Sequence, residues 1–304
     1  MGFGGRFELV RLRTGAWAVR DAVVGEVMHP GAGPGVEAWA LYVEELQLGR
    51  LWSRVESGQQ AEAVVWDVGL GAGANALAVL RSASTRRVRL RMWSFDVALE
   101  GLAFARRHGD RLGYVEGMEA VLDRFLSGGG FVGRVGEAEV EWRFVEGDFS
   151  RWLVEDAAEV SAPDAVAYDP FSPARNPALW TVEVFRRLYR RLDPGRACVL
   201  ATYSRSSRVR VALLVAGFYV GRGCAVGVKE ETTVASNCPD RLERPLDGAW
   251  LARLRRSTAA EPAWLSGDPP GALRPSTWDL LMRHPQFAGC GMGSEPAPDP
   301  RGGD

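Results

Sequence analysis

The stretch Val64-Val65-Trp66-Asp67-Val68-Gly69-Leu70-Gly71-Ala72-Gly73-Ala74-Asn75-Ala76-Leu77 constrains this chain more than any other. A short apolar run ends in a carboxylate, passes three alternating glycines and enters an Ala/Leu-rich segment, the pattern of strand, tight turn and helix. Glycines admit positive φ and let a ligand lie against the main chain without meeting a Cβ. The helix that follows offers unpaired N–H groups to an anionic group. A nucleotide-like cofactor held at a strand end is the functional expectation; a Gly-rich surface turn is the plain one.

The spacing narrows the cofactor. The dinucleotide fingerprint G-x-G-x-x-G uses its third glycine to pack helix on strand, whereas here Gly69, Gly71 and Gly73 alternate and Ala74 and Ala76 follow. The pattern resembles the D/E-x-G-x-G-x-G loop of class I S-adenosylmethionine-dependent methyltransferases, which grips the methionine carboxylate and ribose. That resemblance implies S-adenosylmethionine as cofactor, with Asp67, Gly69, Gly71, Gly73 and Asn75 around it.

Composition limits the alternatives. The 304 residues allow one large or two small domains, and 46% hydrophobic with 25% charged residues can bury a core. No N-terminal apolar run suggests a signal segment, and no stretch approaches the ~20 apolar residues of a membrane span. The expectation is a soluble, cytoplasmic protein without membrane association. Cys198, Cys224, Cys238 and Cys290 show no C-x-x-C spacing, and with three histidines there is no zinc set. Reduced structural thiols and no metal are expected. A formal net charge of −1 argues against coating by polyanions but leaves room for a local basic face.

Along the chain, residues 7–20 alternate as a β-hairpin turning at Thr14-Gly15. A Gly/Pro loop follows, in which His29 is either a loop residue or a wall of the site's mouth. Residues 36–51 have a helical apolar pattern. Residues 86–95 read as a strand ending in Asp96, which either accepts hydrogen bonds from cofactor ribose hydroxyls or N-caps a helix over 98–107. Residues 110–140, with helical spacing over 115–126 and then Ser127-Gly128-Gly129-Gly130, read as an insertion. A strand over 138–145 stops before Asp148 and Phe149. In methyltransferases an acid here commonly receives the adenine amino group while an adjacent apolar residue covers the ring; the bare sequence fits a capped helix start equally well.

The second informative stretch is Ala165-Val166-Ala167-Tyr168-Asp169-Pro170-Phe171-Ser172-Pro173, with Asn176-Pro177 and Trp180. A buried strand runs to a carboxylate, and prolines then stiffen the loop. Such loops at strand ends carry chemistry in α/β proteins. The stretch resembles the D-G/A-F-x-P-x-x-N-P-x-x-W signature of the methyltransferase domain of bacterial tRNA 5-methylaminomethyl-2-thiouridine biosynthesis enzymes. The hairpin leading to Gly25-Glu26 and His29, the acidic helix start at Glu37, Thr202-Tyr203-Ser204, Ala216-Gly217-Phe218 and Lys229-Glu230-Glu231-Thr232-Thr233 agree in order. Pro170 departs from the usual Gly or Ala, and Gly-Leu-Gly-Ala-Gly from Gly-Phe-Gly-Thr-Gly.

The resemblance implies a Rossmann-like class I methyltransferase: α/β, with a seven-stranded, mostly parallel sheet, helices on both faces and an N-terminal β-hairpin extension. Expected boundaries are 1–60 for the hairpin and helix extension, 61–236 for the methyltransferase core and 237–304 for an appended tail, partly disordered from 289 onward. Bifunctional members add a flavin-dependent oxidoreductase domain; with no second glycine fingerprint here, a stand-alone methyltransferase is expected. The implied reaction is N-methylation of the 5-aminomethyl group of wobble uridine, with the tRNA anticodon region as partner. Asp169 would hold the amine and help remove its proton, with Phe171 and Tyr203 walling the pocket. Arg175, Arg205, Arg208 and Arg210 are either phosphate contacts or ordinary surface residues. Other readings are a methyltransferase on a free small amine, a NAD-dependent oxidoreductase and a non-catalytic RNA-binding protein; Ala74 and the long gap to Asp96 speak against the oxidoreductase.

Overall fold

The computed structural model describes residues 5–155, 160–225 and 231–288. The tail from 289, including Cys290, and Lys229-Glu230 lie outside the described residues.

The N-terminal hairpin forms as β1 (Phe7–Arg11) and β2 (Trp17–Asp21), and a short third strand, β3 (Glu26–Val27), pairs with β2. Buried Asp21 secures this turn, pairing with Arg6 at 2.9 Å and accepting from the Val23 and Val24 amides. The single helix expected over 36–51 is instead α1 (Pro34–Trp39), a π-helical turn (Ala40–Glu44) and α2 (Leu48–Glu56). Gln47 breaks it, at φ 54°. The reversal lets Leu46 and Leu48, which two-residue spacing would place on different helical faces, both be buried.

The remaining elements build an eight-stranded sheet. In chain order they are β4 (Ala63–Val68), α3 (Ala74–Ser84), β5 (Arg89–Asp96), α4 (Glu100–Arg107), α5 (Glu119–Gly128), β6 (Gly130–Val135), β7 (Ala138–Glu146) and α6 (Phe149–Trp152). Then come β8 (Ala165–Tyr168), α7 (Val182–Arg190), β9 (Val199–Thr202), α8 (Ser207–Ala216), β10 (Tyr219–Gly223), β11 (Thr232–Ser236), α9 (Gly248–Leu254) and α10 (Pro275–Met282). Spatial order is β10-β11-β9-β8-β4-β5-β7-β6. The pairs β4–β5, β4–β8, β5–β7 and β8–β9 are parallel. The chain leaves β4 to one side for β5 and β7, then returns to the other for β8 and β9, so strand order reverses at β4. Such a reversal opens a crevice at the strands' carboxyl ends.

One strand more than the expected seven is present, and it comes from the segment read as an insertion. Gly129 ends α5 at φ 66°, and β6 then pairs antiparallel with β7, burying Phe131 and Val135 beside Leu122 and Phe125. Phe125 stacks on Trp142 of β7 with ring centroids 3.7 Å apart. The segment is sheet edge and core in one.

β4, β8, β9 and β11 are buried at every position, as strands covered on both faces must be. One face packs Val65, Leu77, Leu90 and Leu102 against α1 to α5; the other packs Val64, Trp66, Phe185 and Leu213 against α6 to α10. Residues after 236 join the second core through Leu246, Trp250, Leu251 and Leu281. They also cover the free edge of β10. Gln286 accepts from the Val220 amide at 2.7 Å and donates to its carbonyl at 2.7 Å, the Leu246 amide reaches the same carbonyl at 2.9 Å, and the Arg222 amide donates to Arg244 O at 2.8 Å. Among the described residues no helix is long and apolar enough to cross a membrane.

Candidate active site

A cavity of about 730 Å³ occupies the crevice, at the carboxyl ends of β4, β5, β7 and β8 with Tyr203 just past β9, and the β3 loop closes its outer side. Its volume falls in the range of cofactor and ligand sites, roughly 300–1,000 Å³.

One half is the glycine loop. Gly69, at φ +91°, has a reason to be glycine that lies in the protein: a Cβ there would stand 2.6 Å from Asp169 O. Gly73, at φ +80°, precedes α3, and a Cβ on it would overlap Leu102 Cδ1 of α4. The Gly71 amide donates to Asp96 Oδ2 at 2.8 Å, and the other Asp96 oxygen accepts from the Val97 amide at 2.7 Å. Burial pushes the Asp96 carboxyl up, while these two amides oppose that shift. The N-cap position of α4 is Leu99, so the capping role considered for Asp96 is not the one it plays.

Two residues expected around the cofactor stand back from the cavity. Gly73 spends its missing Cβ on Leu102, and Asp67 lies fully buried behind the loop. Asp67 Oδ2 accepts from Ser94 Oγ at 2.7 Å, which itself accepts from Trp142 Nε1 at 2.9 Å. Asp67 Oδ1 has no hydrogen-bond partner among the described residues. Burial lifts this carboxyl from 3.8 to about 7, against the Ser94 hydrogen bond. Asn75 does border the cavity. Its Nδ2 donates to Asp169 Oδ2 at 2.7 Å, while its buried Oδ1 has no partner among the described residues. At the far end Asp148 caps α6, accepting from Ser150 N at 2.7 Å and Ser150 Oγ at 2.6 Å, and also lines the cavity. Phe149 lines it too, from within a ring cluster with Phe95, Trp66 and Trp152.

The other half is the proline loop after β8. The Asp169 amide extends the β4–β8 pairing by donating to Val68 O at 2.9 Å. The loop is tethered residue by residue: Tyr203 OH donates to Pro170 O at 3.2 Å, Trp180 Nε1 to Phe171 O at 2.9 Å, and Tyr168 OH to Leu179 O. Glu26 of β3 accepts from the Ser172 amide at 3.0 Å and from its hydroxyl. Asp169, Phe171 and Tyr203 all line the cavity, so the three residues expected to carry the reaction meet there.

The arginines divide. Arg210 is buried and bonded to Thr233 Oγ1, Glu231 Oε1 and Thr232 O, which removes it from any surface role, and Arg208 donates to Asp268 O. Arg175 is exposed at the cavity's mouth and Arg205 is exposed beyond β9.

Sequence reasoning undervalued the β3 loop. His29, only 10% exposed at its side chain, lines the cavity, with Nε2 3.5 Å from Asp169 Oδ2 and Nδ1 4.0 Å from Glu37 Oε2. A histidine within a Gly/Pro loop that leads to an acidic helix start was the available signal, and on composition alone a loop residue looks the same. Tyr42, fully buried in the π-helical turn, faces Asp169; burial first, and then the Asp169 charge, holds its phenol well above the ordinary value.

Residues 119–238 match the model of a family described as S-adenosyl-L-methionine-dependent methyltransferase. The tRNA 5-methylaminomethyl-2-thiouridine biosynthesis bifunctional protein MnmC of Methylibium petroleiphilum is 39% identical over 93 residues, which are 31% of this chain and 14% of that protein. Its namesake in Cupriavidus necator is 39% identical over 111 residues, 35% of this chain and 16% of that protein. The matched segments are thus a small fraction of those relatives' length. The crystal structure of MNMC2 from Aquifex aeolicus superposes with a TM-score of 0.65 at 22% identity, covering 92% of this chain and 85% of that one. By the family match over residues 119–238 and by fold, this chain is similar to S-adenosylmethionine-dependent methyltransferases, and its matched segments are similar in sequence to parts of the bacterial tRNA 5-methylaminomethyl-2-thiouridine biosynthesis bifunctional proteins.

Proposed function

We propose that the chain N-methylates the 5-aminomethyl group of wobble uridine in tRNA, acting in the cytoplasm on the anticodon region. The observation that carries this reading is Asp169, a carboxylate fixed at the end of β8 where the glycine loop and the proline loop touch. The cavity around it favours a cationic acceptor: Glu26, Glu37, Asp96, Asp148 and Asp169 line it, against Arg6 and Arg175. An amine is drawn to such a site, whereas a phosphate is repelled.

The residues fit the cofactor. When bound, S-adenosylmethionine supplies an electrophilic methyl group on its sulfonium. The glycine-loop backbone would receive the methionine carboxylate, the unpartnered Asn75 Oδ1 its ammonium, Asp96 the ribose hydroxyls, and Asp148 with Phe149 the adenine. Asp67 and Gly73 support the loop from behind.

Asp169 holds the acceptor amine and takes its proton, because nitrogen attacks only with its lone pair free. Phe171 and Tyr203 bound the space for the base, which leaves its stack to reach the pocket. Burial keeps the Tyr203 phenol protonated, so it holds Pro170 and donates no charge to the site. General-base catalysis contributes typically ~10²–10⁴-fold. Asp169→Asn is therefore expected to cut methyl transfer by about 100-fold or more while calorimetry finds S-adenosylmethionine affinity within about twofold. Full transfer in that variant would remove Asp169 from the mechanism. Mass spectrometry of tRNA nucleosides from a deletion strain tests the substrate: accumulated 5-aminomethyl uridines are expected, and an unchanged profile redirects the enzyme to another amine.

A further inference from the structure

The β3 loop places a carboxylate, an imidazole and a second carboxylate in line. Glu37, 8% exposed, turns Oε1 to the amides of Gly31 at 2.6 Å and Gly33 at 3.2 Å and Oε2 toward His29 Nδ1 at 4.0 Å. His29 Nε2 then stands 3.5 Å from Asp169 Oδ2. His29 has φ 55°, a conformation uncommon outside glycine. Strained backbone of this kind persists where surrounding contacts over-determine it and clusters at functional sites. Here the contacts are the two amides clamped by Glu37, which hold the loop around the ring.

We propose that His29 is a positioning residue for methyl transfer: acting through Asp169, it accepts the proton that the acceptor amine loses, and Glu37 steadies the resulting imidazolium. This rests on the reading of Asp169 as the amine's carboxylate. An ammonium enters, its proton passes to Asp169 and on to His29, and Asp169 is again a carboxylate facing a neutral amine. The N–C bond then forms as the methyl–sulfur bond breaks, leaving a secondary ammonium and a neutral thioether. After product leaves, His29 returns its proton to water.

Glu37 comes from α1, Asp169 from the loop after β8, Asn75 from α3, and Tyr42 and Tyr203 face Asp169 from the π-helical turn and from just past β9. Glu26 lies on the same loop as His29 but is engaged by Ser172. Both phenols are held protonated by burial, and Asn75 does not titrate. Among these groups only an imidazole changes charge between about pH 5 and 8 as a class.

The test is a pH–rate profile of wild type, His29→Gln and Glu37→Gln on tRNA from the deletion strain. In His29→Gln, kcat at about pH 7 is expected to fall about 10- to 100-fold, with KM for tRNA and affinity for S-adenosylmethionine within about twofold. The deficit should shrink to a few-fold near about pH 9.5, where water itself deprotonates the amine. Glu37→Gln should show the same trend with a smaller amplitude. A deficit equal at every pH makes His29 a structural residue and overturns the proposal, as does no deficit. A readout without catalysis is histidine-ring NMR of the protein alone: Asp169→Asn and Glu37→Gln should each move the His29 titration and leave those of His108 and His284 in place. An unmoved His29 overturns the proposal too. A wild-type protein that methylates no aminomethyl tRNA sinks the parent reading and this one with it, whereas normal wild-type transfer with a pH-independent deficit sinks this one alone.

Discussion

On the side of the cavity that the proposed function gives to the methyl donor, the surface is largely main chain: Gly69 and Gly71 expose backbone, and Asp96 grips the Gly71 amide. On the acceptor side it is side chains brought from far along the sequence. Glu26 reaches Ser172 across 146 residues, Asn75 reaches Asp169 across 94, and Tyr203 reaches Pro170 across 33. The glycine loop at the centre of the donor side is therefore a local structure that a dozen consecutive residues can specify, with Asp96, Asp148 and Phe149 set at the ends of neighbouring strands. The acceptor half exists only after the whole sheet has closed. Where they meet, the Asp169 carbonyl lies so close to Gly69 that no side chain fits between them.

That joint offers the most severe way to break the distinction. Gly69→Ala sets a Cβ 2.6 Å from Asp169 O at a φ of +91°, so we expect a loss of about 4 kcal/mol or more by denaturant unfolding, from strain and overlap together. Cofactor binding and methyl transfer should fail together, because both halves shift. Retained transfer with weak cofactor binding would show that the halves move independently.

Asp67→Asn probes the donor half from behind. Burial lifts the Asp67 carboxyl from 3.8 to about 7 in the folded chain. Between those values the folded state holds a proton that the unfolded chain has lost. The stability from this group is complete below about pH 3.8 and is lost as pH rises through about 7. Asparagine keeps the neutral form, so at about pH 8 the variant should unfold at higher denaturant, by about 2–4 kcal/mol, with the difference gone near about pH 4. A pH-independent difference would place the effect in packing instead.

Glu26→Gln is the mildest and separates the halves most cleanly. It weakens the tether between β3 and Ser172, worth about 1–1.5 kcal/mol as a charge-assisted hydrogen bond. On the proposed function, we expect KM for the acceptor to rise about five- to tenfold with cofactor affinity unchanged. A fall in cofactor affinity would mean that the tether serves both sides.

The same contrast explains what was legible in the sequence. An apolar run, an acid and alternating glycines are local signals, so β4, the loop and α3 could be placed, and Asp96 and Asp148 could be set at the ends of their strands. Asp169, Phe171 and Tyr203 could be grouped because the proline loop resembles a known signature. Asp67 and Gly73 read as ligand contacts because the pattern cannot show whether a missing Cβ faces a ligand or Leu102. His29 depended on a left-handed backbone and on partners 8 and 140 positions away, neither of which has a local mark. The eighth strand was hidden by Gly128-Gly129-Gly130, which reads as a breaker and acts as the turn into β6.

One feature at the opposite end of the sheet bears on how the molecule survives in a crowded solution. A bare outer strand invites another chain to pair with it, and natural sheets avoid this by covering or charging the edge. Here β10 would be such a strand, but Gln286 mimics a neighbouring peptide unit with its amide, and Arg244 and Leu246 supply two more bonds. The Pro-rich segment that composition marks as an appendage is thus a guard against intermolecular β-pairing, and one glutamine amide stands where a foreign strand would begin.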